Sequence, residues 1–188
     1  MGKLIIFSAP SGSGKTTIVR RLMEIVDGLE FSVSATSRAP RGVEQNGRDY
    51  YFLSGEEFDS KIAEDAFVEW EEVYAGTKYG TLRSELERIW SKGHTILFDV
   101  DVKGGVRLKE IFGEAALSIF VMPPSIEELR RRLVGRATDS PEKIEQRIGK
   151  AGEELGYSEC FDLIVVNDDL EEAVGKVREA VEGFIAKE

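Results

Sequence analysis

The chain of 188 residues is long enough for one well-buried core, which would remove roughly 70% of the unfolded surface from water. Its formal net charge of -10 argues against a general nucleic-acid binder, because such a charge repels phosphate backbones at long range. With no apolar run of ~18 residues and no signal peptide after Met1, we expect a cytoplasmic protein without a membrane partner.

The predicted elements alternate between strands and helices along most of the chain. Apolar or alternating runs typical of strands occur at 3–8, 29–34, 66–75, 94–101, 117–122 and 161–166. Helical spacing or capping residues predict helices at 14–26, 55–64, 82–92, 104–112 and 169–187. Two further helices are predicted after Ser125 and at Ser140–Pro141, where proline takes the first helical position. The stretch GTKYGT, residues 76–81, is predicted to be a loop.

This alternation implies a parallel sheet covered by helices on both faces. We therefore predict a three-layer α/β fold with two insertions, because residues 35–81 and the arginine-rich residues 131–146 break the rhythm. The predicted organisation is a core of 1–34, 82–130 and 147–188, a mobile insertion at 35–81 and a small lid at 131–146.

The sequence APSGSGKT, residues 9–16, has the pattern of a phosphate-binding P-loop, with alanine at position 9 in place of the usual glycine. Its glycines let backbone N–H groups approach a phosphate, and the following helix adds its partial positive charge. Lys15 would reach the β- and γ-phosphates of a triphosphate, and Thr16 would offer its hydroxyl to Mg²⁺. Asp99, at the end of a buried strand, is the predicted metal-side carboxylate, acting through water.

The insertion 35–81 is predicted to bind the phosphate acceptor. Arg38, Arg41, Tyr50 and Tyr79 are suited to a terminal phosphate, although a solvated basic loop with core tyrosines is the alternative. Glu69 lies in the apolar run AFVEW, where a carboxylate needs a partner. Guanine offers two adjacent donors and adenine does not, so Glu69 would select guanine, unless it simply faces solvent.

The second insertion carries the arginines of LRRRLVGRATDSPEKIEQR. Arg132 and Arg136 are four residues apart, so they share a helix face and repel each other until an anion arrives. A solvated basic helix paired with Glu127 and Glu128 is the alternative, mainly for Arg130 and Arg131. An acceptor phosphate is already an oxyanion at neutral pH, so no general base is needed.

Cysteine and histidine occur once each. A single cysteine, Cys160, excludes an intramolecular disulfide and a cysteine-based metal cluster, and we expect a small buried side chain. His94 begins a strand and is not expected to take part in catalysis.

Over its whole length the chain resembles the guanylate kinases. The motifs that carry the resemblance, in family order, are SAPSGSGKT, SATSRAPRGVEQNGRDYYFL, FVEWEEV with YGT, DVDVKGG, RRRLVGRATDS and VVND. The resemblance implies phosphoryl transfer from ATP to GMP or dGMP with Mg²⁺ as cofactor, by a monomer or homodimer. A catalytically silent interaction module of the same fold, or a kinase for another nucleoside monophosphate, remains open.

The resemblance also implies roles for individual residues. Contacts to ATP would come from Ala9, Pro10, Ser11, Gly12, Ser13, Gly14, Lys15, Thr16, Thr17 and Asn167. Contacts to GMP would come from Ser34, Arg38, Arg41, Tyr50, Glu69, Tyr79, Thr81 and Asp101. The catalytic residues would be Lys15, Arg132, Arg136 and Arg147, and the metal would be held by Thr16 and Asp99.

Overall fold

The computed structural model describes residues 2–74, 76–135 and 140–187. The strands are β1 (Leu4–Ser8), β2 (Leu29–Phe31), β3 (Ala35–Thr36), β4 (Tyr51–Phe52), β5 (Phe67–Tyr74), β6 (Thr77–Leu82), β7 (Thr95–Asp99), β8 (Ala116–Met122) and β9 (Leu163–Val166). The helices are α1 (Lys15–Ile25), α2 (Gly55–Ala63), α3 (Arg83–Trp90), α4 (Val102–Phe112), α5 (Ile126–Gly135), α6 (Pro141–Leu155) and α7 (Leu170–Ala186). The chain divides into two compact units, residues 1–29 with 97–188 and residues 30–96.

The core sheet has the strand order β2-β7-β1-β8-β9. β8 pairs in parallel with both β1 and β9. All five residues of β1 are buried, as expected for a strand covered on both faces, and β7 is buried up to its last residue, Asp99. The predicted α/β fold with a parallel core sheet is therefore confirmed.

Helix α4 packs closely against the end of β1. A Cβ atom on Gly105 of α4 would lie 2.3 Å from Ser8 Oγ at the end of β1, so only glycine permits this approach. α5 and α6 share an apolar cluster, formed by Leu129, Leu133, Ile144, Ala151 and Ile148. Within the described residues, no helix is long and apolar enough to cross a membrane.

The second unit contains a four-stranded sheet of order β4-β3-β6-β5, with β5 and β6 antiparallel. Its small core includes Phe58 of α2 and Phe67 of β5, whose rings stack at 4.4 Å between centroids. α2 begins with the predicted capping box, because Ser54 and Glu57 each accept a backbone N–H from the other. This unit extends beyond the predicted insertion 35–81 at both ends, and the mobility of insertion and lid stays a prediction.

Two sequence predictions are wrong. Residues 76–81 are not a loop, since Thr77–Leu82 forms β6 and pairs with β5 over an antiparallel register that local sequence does not reveal. Position 80 of this strand requires glycine, because a Cβ atom there would lie 2.8 Å from the Glu69 carbonyl oxygen. Cys160 is exposed rather than buried, because it ends a short 3-10 helix, Ser158–Cys160, on the surface.

Candidate active site

The phosphate loop, residues 9–14, connects β1 to α1 and borders a cavity of about 400 Å³ in the first unit. The Ser13 N–H donates to the Pro10 carbonyl at 3.1 Å and closes the turn. Gly12 and Gly14 have φ angles of 100° and 92°, in the left-handed region that favours glycine. The cavity is lined by residues 9–14 together with Lys15, Thr16, Thr17, Asp99, Val100, Asp101, Lys150 and Glu154. Nearly all the residues predicted to contact ATP therefore lie together.

Asn167 supports the phosphate loop by a hydrogen bond to its backbone. Its buried side-chain amide donates to the Ser13 carbonyl at 2.7 Å. A Cβ atom on Gly14 would lie only 2.2 Å from Asn167 Nδ2, so the two residues are in direct contact. The resemblance gives Asn167 a place near adenine. The structure additionally shows it fixing the loop, a contact between residues 154 positions apart that spacing could not reveal.

Lys15 bridges the loop and the end of β7. Its ammonium group forms an ion pair with Asp99 and donates to the Val100 carbonyl at 3.1 Å. Thr16 borders the same cavity. A hydroxyl and a carboxylate are the hard oxygen ligands that Mg²⁺ prefers, so Thr16 and Asp99 fit the predicted metal role.

The arginines of α5 and α6 approach the loop. Arg132 donates to Glu128 at 2.8 Å, to the Asn167 carbonyl at 2.9 Å and to the Ser13 carbonyl at 3.4 Å. Arg147 donates to the hydroxyl of Ser11. Arg136 lies outside the described residues, so its predicted role stays a prediction.

The other two arginines of α5 are paired with carboxylates, as the alternative interpretation holds. Arg131 binds Glu128, and Arg130 binds Glu145 of α6. Hydrogen bonds from Arg131 and then Arg132 lower the pKa of Glu128 to about 2. Glu128 is therefore a carboxylate at neutral pH that orients Arg132 beside the loop.

Lys150 and Glu154 were missed at the level of sequence, although both line the cavity. They follow Arg147 by three and seven residues, so the three side chains lie along one face of α6. Burial raises the pKa of Glu154, and repulsion by Asp101 adds to the shift. Extending the helical spacing forward from Arg147 would have found both residues.

In the second unit, Arg38 is the centre of a cluster of predicted phosphate ligands. Its Nε donates to the Tyr79 hydroxyl at 3.2 Å, and its guanidinium carbon lies 4.9 Å from the Tyr50 ring centroid. Both terminal nitrogens also donate to Glu44, at 2.7 and 2.9 Å. Glu44 in turn accepts the backbone N–H of Arg41 at 2.7 Å. These bonds, those from Arg38 first, lower the pKa of Glu44 to about 2.

Glu44 was not predicted, although a single acid in the basic stretch RAPRGVEQNGR was a usable signal. The Arg38 guanidinium donates from both terminal nitrogens to the two oxygens of this carboxylate, which is the pairing that two phosphate oxygens would also make. Arg41 contributes its backbone to this group, and its side chain is exposed.

Glu69 and Thr81, both predicted to contact guanine, face each other across β5 and β6. The Thr81 hydroxyl donates to Glu69 Oε1 at 2.8 Å, and Thr81 is almost fully buried. Ser34 lies just before β3, where its carbonyl accepts the Tyr51 N–H at 2.9 Å. Asp101 belongs to the first unit, where its carboxylate caps α4 by accepting the Gly104 N–H at 2.7 Å.

Comparison with known structures supports the α/β fold described above. A shikimate kinase from Bacteroides thetaiotaomicron has the same fold, with a TM-score of 0.53 at 14% identity, and the match covers 96% of this chain and 98% of that one. The sequence model described as guanylate kinase matches residues 1–183. The chain belongs to the guanylate kinase family.

Individual relatives match this chain over most of their own lengths. A guanylate kinase of Porphyromonas gingivalis is 57% identical over 188 residues, covering 100% of both chains. One from Bacteroides thetaiotaomicron is 54% identical, covering 100% of this chain and 92% of the relative. The crystal structure of guanylate kinase from Anaplasma phagocytophilum matches with a TM-score of 0.74 at 33% identity, covering 99% of this chain and 87% of that chain.

Proposed function

We propose that this protein transfers the γ-phosphoryl group of ATP to GMP and dGMP, giving ADP and the guanosine diphosphate. The observation that carries the proposal is that each unit has its own group of anion ligands. The first unit has the phosphate loop with Lys15, and the second has Arg38 with Tyr79. A kinase whose acceptor already bears a phosphate needs two such groups, and the guanylate kinases to which this chain is similar have that activity.

The donor phosphates would occupy the cavity beside the loop. Ser13 Oγ is buried there and has no hydrogen-bond partner in the described part of the chain, which suits a site that receives an oxyanion. Lys15 and the N-terminus of α1 supply positive charge. Thr16 and Asp99 would hold Mg²⁺, which when bound supplies charge neutralisation at the β- and γ-phosphates.

The acceptor phosphate would bind at Arg38, with hydroxyl donors from Tyr79 and Tyr50 and a further guanidinium from Arg41. The carboxylate of Glu44 supports this proposal, because it already makes the paired hydrogen bonds that two phosphate oxygens would make. Side-chain hydroxyls and guanidinium groups recognise the phosphate and not the 2′-hydroxyl of the ribose, so they would serve GMP and dGMP equally.

The guanine would be read by Glu69, assisted by Ser34 and Thr81, whereas the role of Asp101 stays a prediction from the resemblance. The hydrogen bond from Thr81 fixes the Glu69 side chain, and a positioned carboxylate can accept from N1–H and the exocyclic amino group. Adenine has no donors at these two positions, so the carboxylate would lose water without gaining the two hydrogen bonds, at a cost of about 1–3 kcal/mol or more. This arrangement favours guanine over other bases.

Catalysis would rest on positioning and charge. The second pKa of the acceptor phosphate is about 6, so the attacking oxygen is already ionised at neutral pH and needs no general base. Lys15, Arg132, Arg136 and Arg147 would neutralise the charge that develops on the transferred phosphoryl group. The contact of Arg147 with Ser11 supports this role, because it places a guanidinium at the phosphate loop.

The proposal is tested by a coupled assay that compares GMP, dGMP, AMP, UMP and dTMP as acceptors, with and without Mg²⁺. We expect GMP and dGMP to be the preferred acceptors, and turnover to require Mg²⁺. Lys15→Met should abolish turnover, whereas Lys176→Met, on the exposed face of α7, is the matched control. Preference for another acceptor would indicate a different nucleotide kinase. No turnover with any acceptor would indicate a silent interaction module.

A further inference from the structure

Glu85 of α3 is a buried carboxylate that none of the proposed substrate contacts uses. The residue is only 2% exposed. It accepts four hydrogen bonds, each of 2.8 Å: one from the Val33 N–H, one from the Tyr51 hydroxyl and two from the Arg88 guanidinium. An ionised carboxylate has about four acceptor sites, so its capacity is fully used. Burial raises its pKa, but these hydrogen bonds outweigh burial and the pKa is lowered.

The groups that Glu85 joins are sequence neighbours of the proposed acceptor ligands. Val33 precedes Ser34, and Tyr51 follows Tyr50. The two segments also meet directly, through the Tyr51 N–H and the Ser34 carbonyl. α3 itself begins at Arg83, directly after β6, which carries Tyr79 and Thr81. One carboxylate therefore links three segments that carry the base and phosphate ligands.

The charge of Glu85 is balanced inside the same unit. Arg88 binds Glu85 with two nitrogens and Glu30 with a third, and Glu30 also accepts from Lys92 and pairs with His94. An ion pair with a buried carboxylate is seldom the arrangement that gives most stability, because desolvation offsets much of the attraction. Its geometric effect is more specific, since removing either the charge or a partner leaves the linked segments less constrained.

We propose that Glu85 is a positioning residue for the acceptor site, holding the Ser34 and Tyr50 segments in the arrangement that binds GMP. The inference rests on the proposed function and adds a residue that acts through others without touching the substrate. It predicts that changing Glu85 weakens the binding of GMP and leaves the binding of ATP and kcat almost unchanged.

The test is steady-state kinetics of Glu85→Gln and Tyr51→Phe, with GMP and ATP varied separately. For Glu85→Gln we expect the KM for GMP to rise about ten-fold or more, the size expected for losing hydrogen bonds to a charged group. The KM for ATP and kcat at saturating GMP should change by less than about two-fold. Tyr51→Phe removes one neutral donor and should raise the KM for GMP about three- to ten-fold. The double variant should be no worse than Glu85→Gln, because both changes break the same link.

Lys92→Met is the matched control, since Lys92 binds Glu30 and not Glu85. Its KM for GMP should equal that of the unaltered protein. A folded Glu85→Gln variant with an unchanged KM for GMP would overturn the inference, as would equal losses for ATP, GMP and kcat. If Glu85→Gln does not fold, Tyr51→Phe decides alone. If the unaltered protein uses another monophosphate, the proposed function fails, and the same KM ratio measured with that acceptor still decides the role of Glu85.

Discussion

Replacing Gly14 by alanine should destabilise the protein through two separable effects. Gly14 has a left-handed backbone, which costs a residue with a side chain about 1–2 kcal/mol. The new Cβ atom would also lie 2.2 Å from Asn167 Nδ2 and displace the amide from the Ser13 carbonyl. Losing a hydrogen bond in a buried place adds about 1–3 kcal/mol, for a total of about 2–5 kcal/mol. The free energy of unfolding of a folded protein is typically about 5–15 kcal/mol, so this loss would be a large part of it.

Gly28→Ala is the matched control. Gly28 also has a positive φ, of 77°, but nothing lies within 4 Å of the position its Cβ atom would take. It should therefore cost only the backbone strain of about 1–2 kcal/mol. Urea unfolding followed by far-ultraviolet circular dichroism measures both variants, because both tryptophans lie in the second unit and would not report on this loop.

The comparison isolates the contact with Asn167. Gly14→Ala should lower the free energy of unfolding by about 1–3 kcal/mol more than Gly28→Ala does. In an Asn167→Ala background this excess should largely disappear, because the clashing amide is gone. Equal losses for Gly14→Ala and Gly28→Ala would refute the reasoning, since the loop would then not be held by Asn167.

Three further outcomes are expected. Arg147→Ala should lower kcat about 10³-fold or more while the KM for GMP changes by less than about three-fold, and Arg178→Ala on α7 serves as control; equal effects on both constants would exclude a transition-state role. Glu69→Gln should reduce the preference for GMP over AMP measured as kcat/KM, and an unchanged ratio would show that Glu69 does not read the base. Glu30 has its pKa lowered from 4.5 to about 2, because hydrogen bonds outweigh the opposing effect of burial. Their donors are Lys92, Arg88 and His94. The unfolded chain takes up this proton more readily, so the stabilisation is complete above pH of about 4.5 and is lost as the pH falls toward about 2. Acid unfolding monitored by tryptophan fluorescence should be less pH-dependent in Glu30→Gln, and an identical pH profile would contradict the assignment.

The parts of the fold that were predictable depend on short-range signals. The Ser54–Glu57 capping box is read from four consecutive positions and the Ser140–Pro141 start from two, and both appear as expected. The buried strands of the core sheet were equally clear, because continuous apolar runs are required where helices cover both faces. The phosphate loop belongs to the same group, since its glycines, lysine and threonine are adjacent in sequence.

β6 was not predictable in this way. Its sequence, TKYGTL, contains glycine and polar residues that locally favour a loop, and its strand conformation comes from pairing with β5. The prediction that Cys160 is buried failed for a related reason, because a small apolar side chain does not indicate whether the turn that carries it lies on the surface. In both positions the tertiary surroundings decided the outcome.

The same distinction separates residues that touch a ligand from residues that position them. Lys15 and Arg38 could be named from motifs because the groups that bind a phosphate stand at fixed local spacing. The residues that hold them in place come from distant parts of the chain. Asn167 supports Ser13 across 154 positions, and Glu85 reaches Val33 across 52. No local pattern encodes these hydrogen bonds, yet each fixes a backbone segment beside a predicted ligand. Sequence motifs therefore identify the chemistry of this site, whereas its geometry depends on buried polar contacts that only the folded chain brings together.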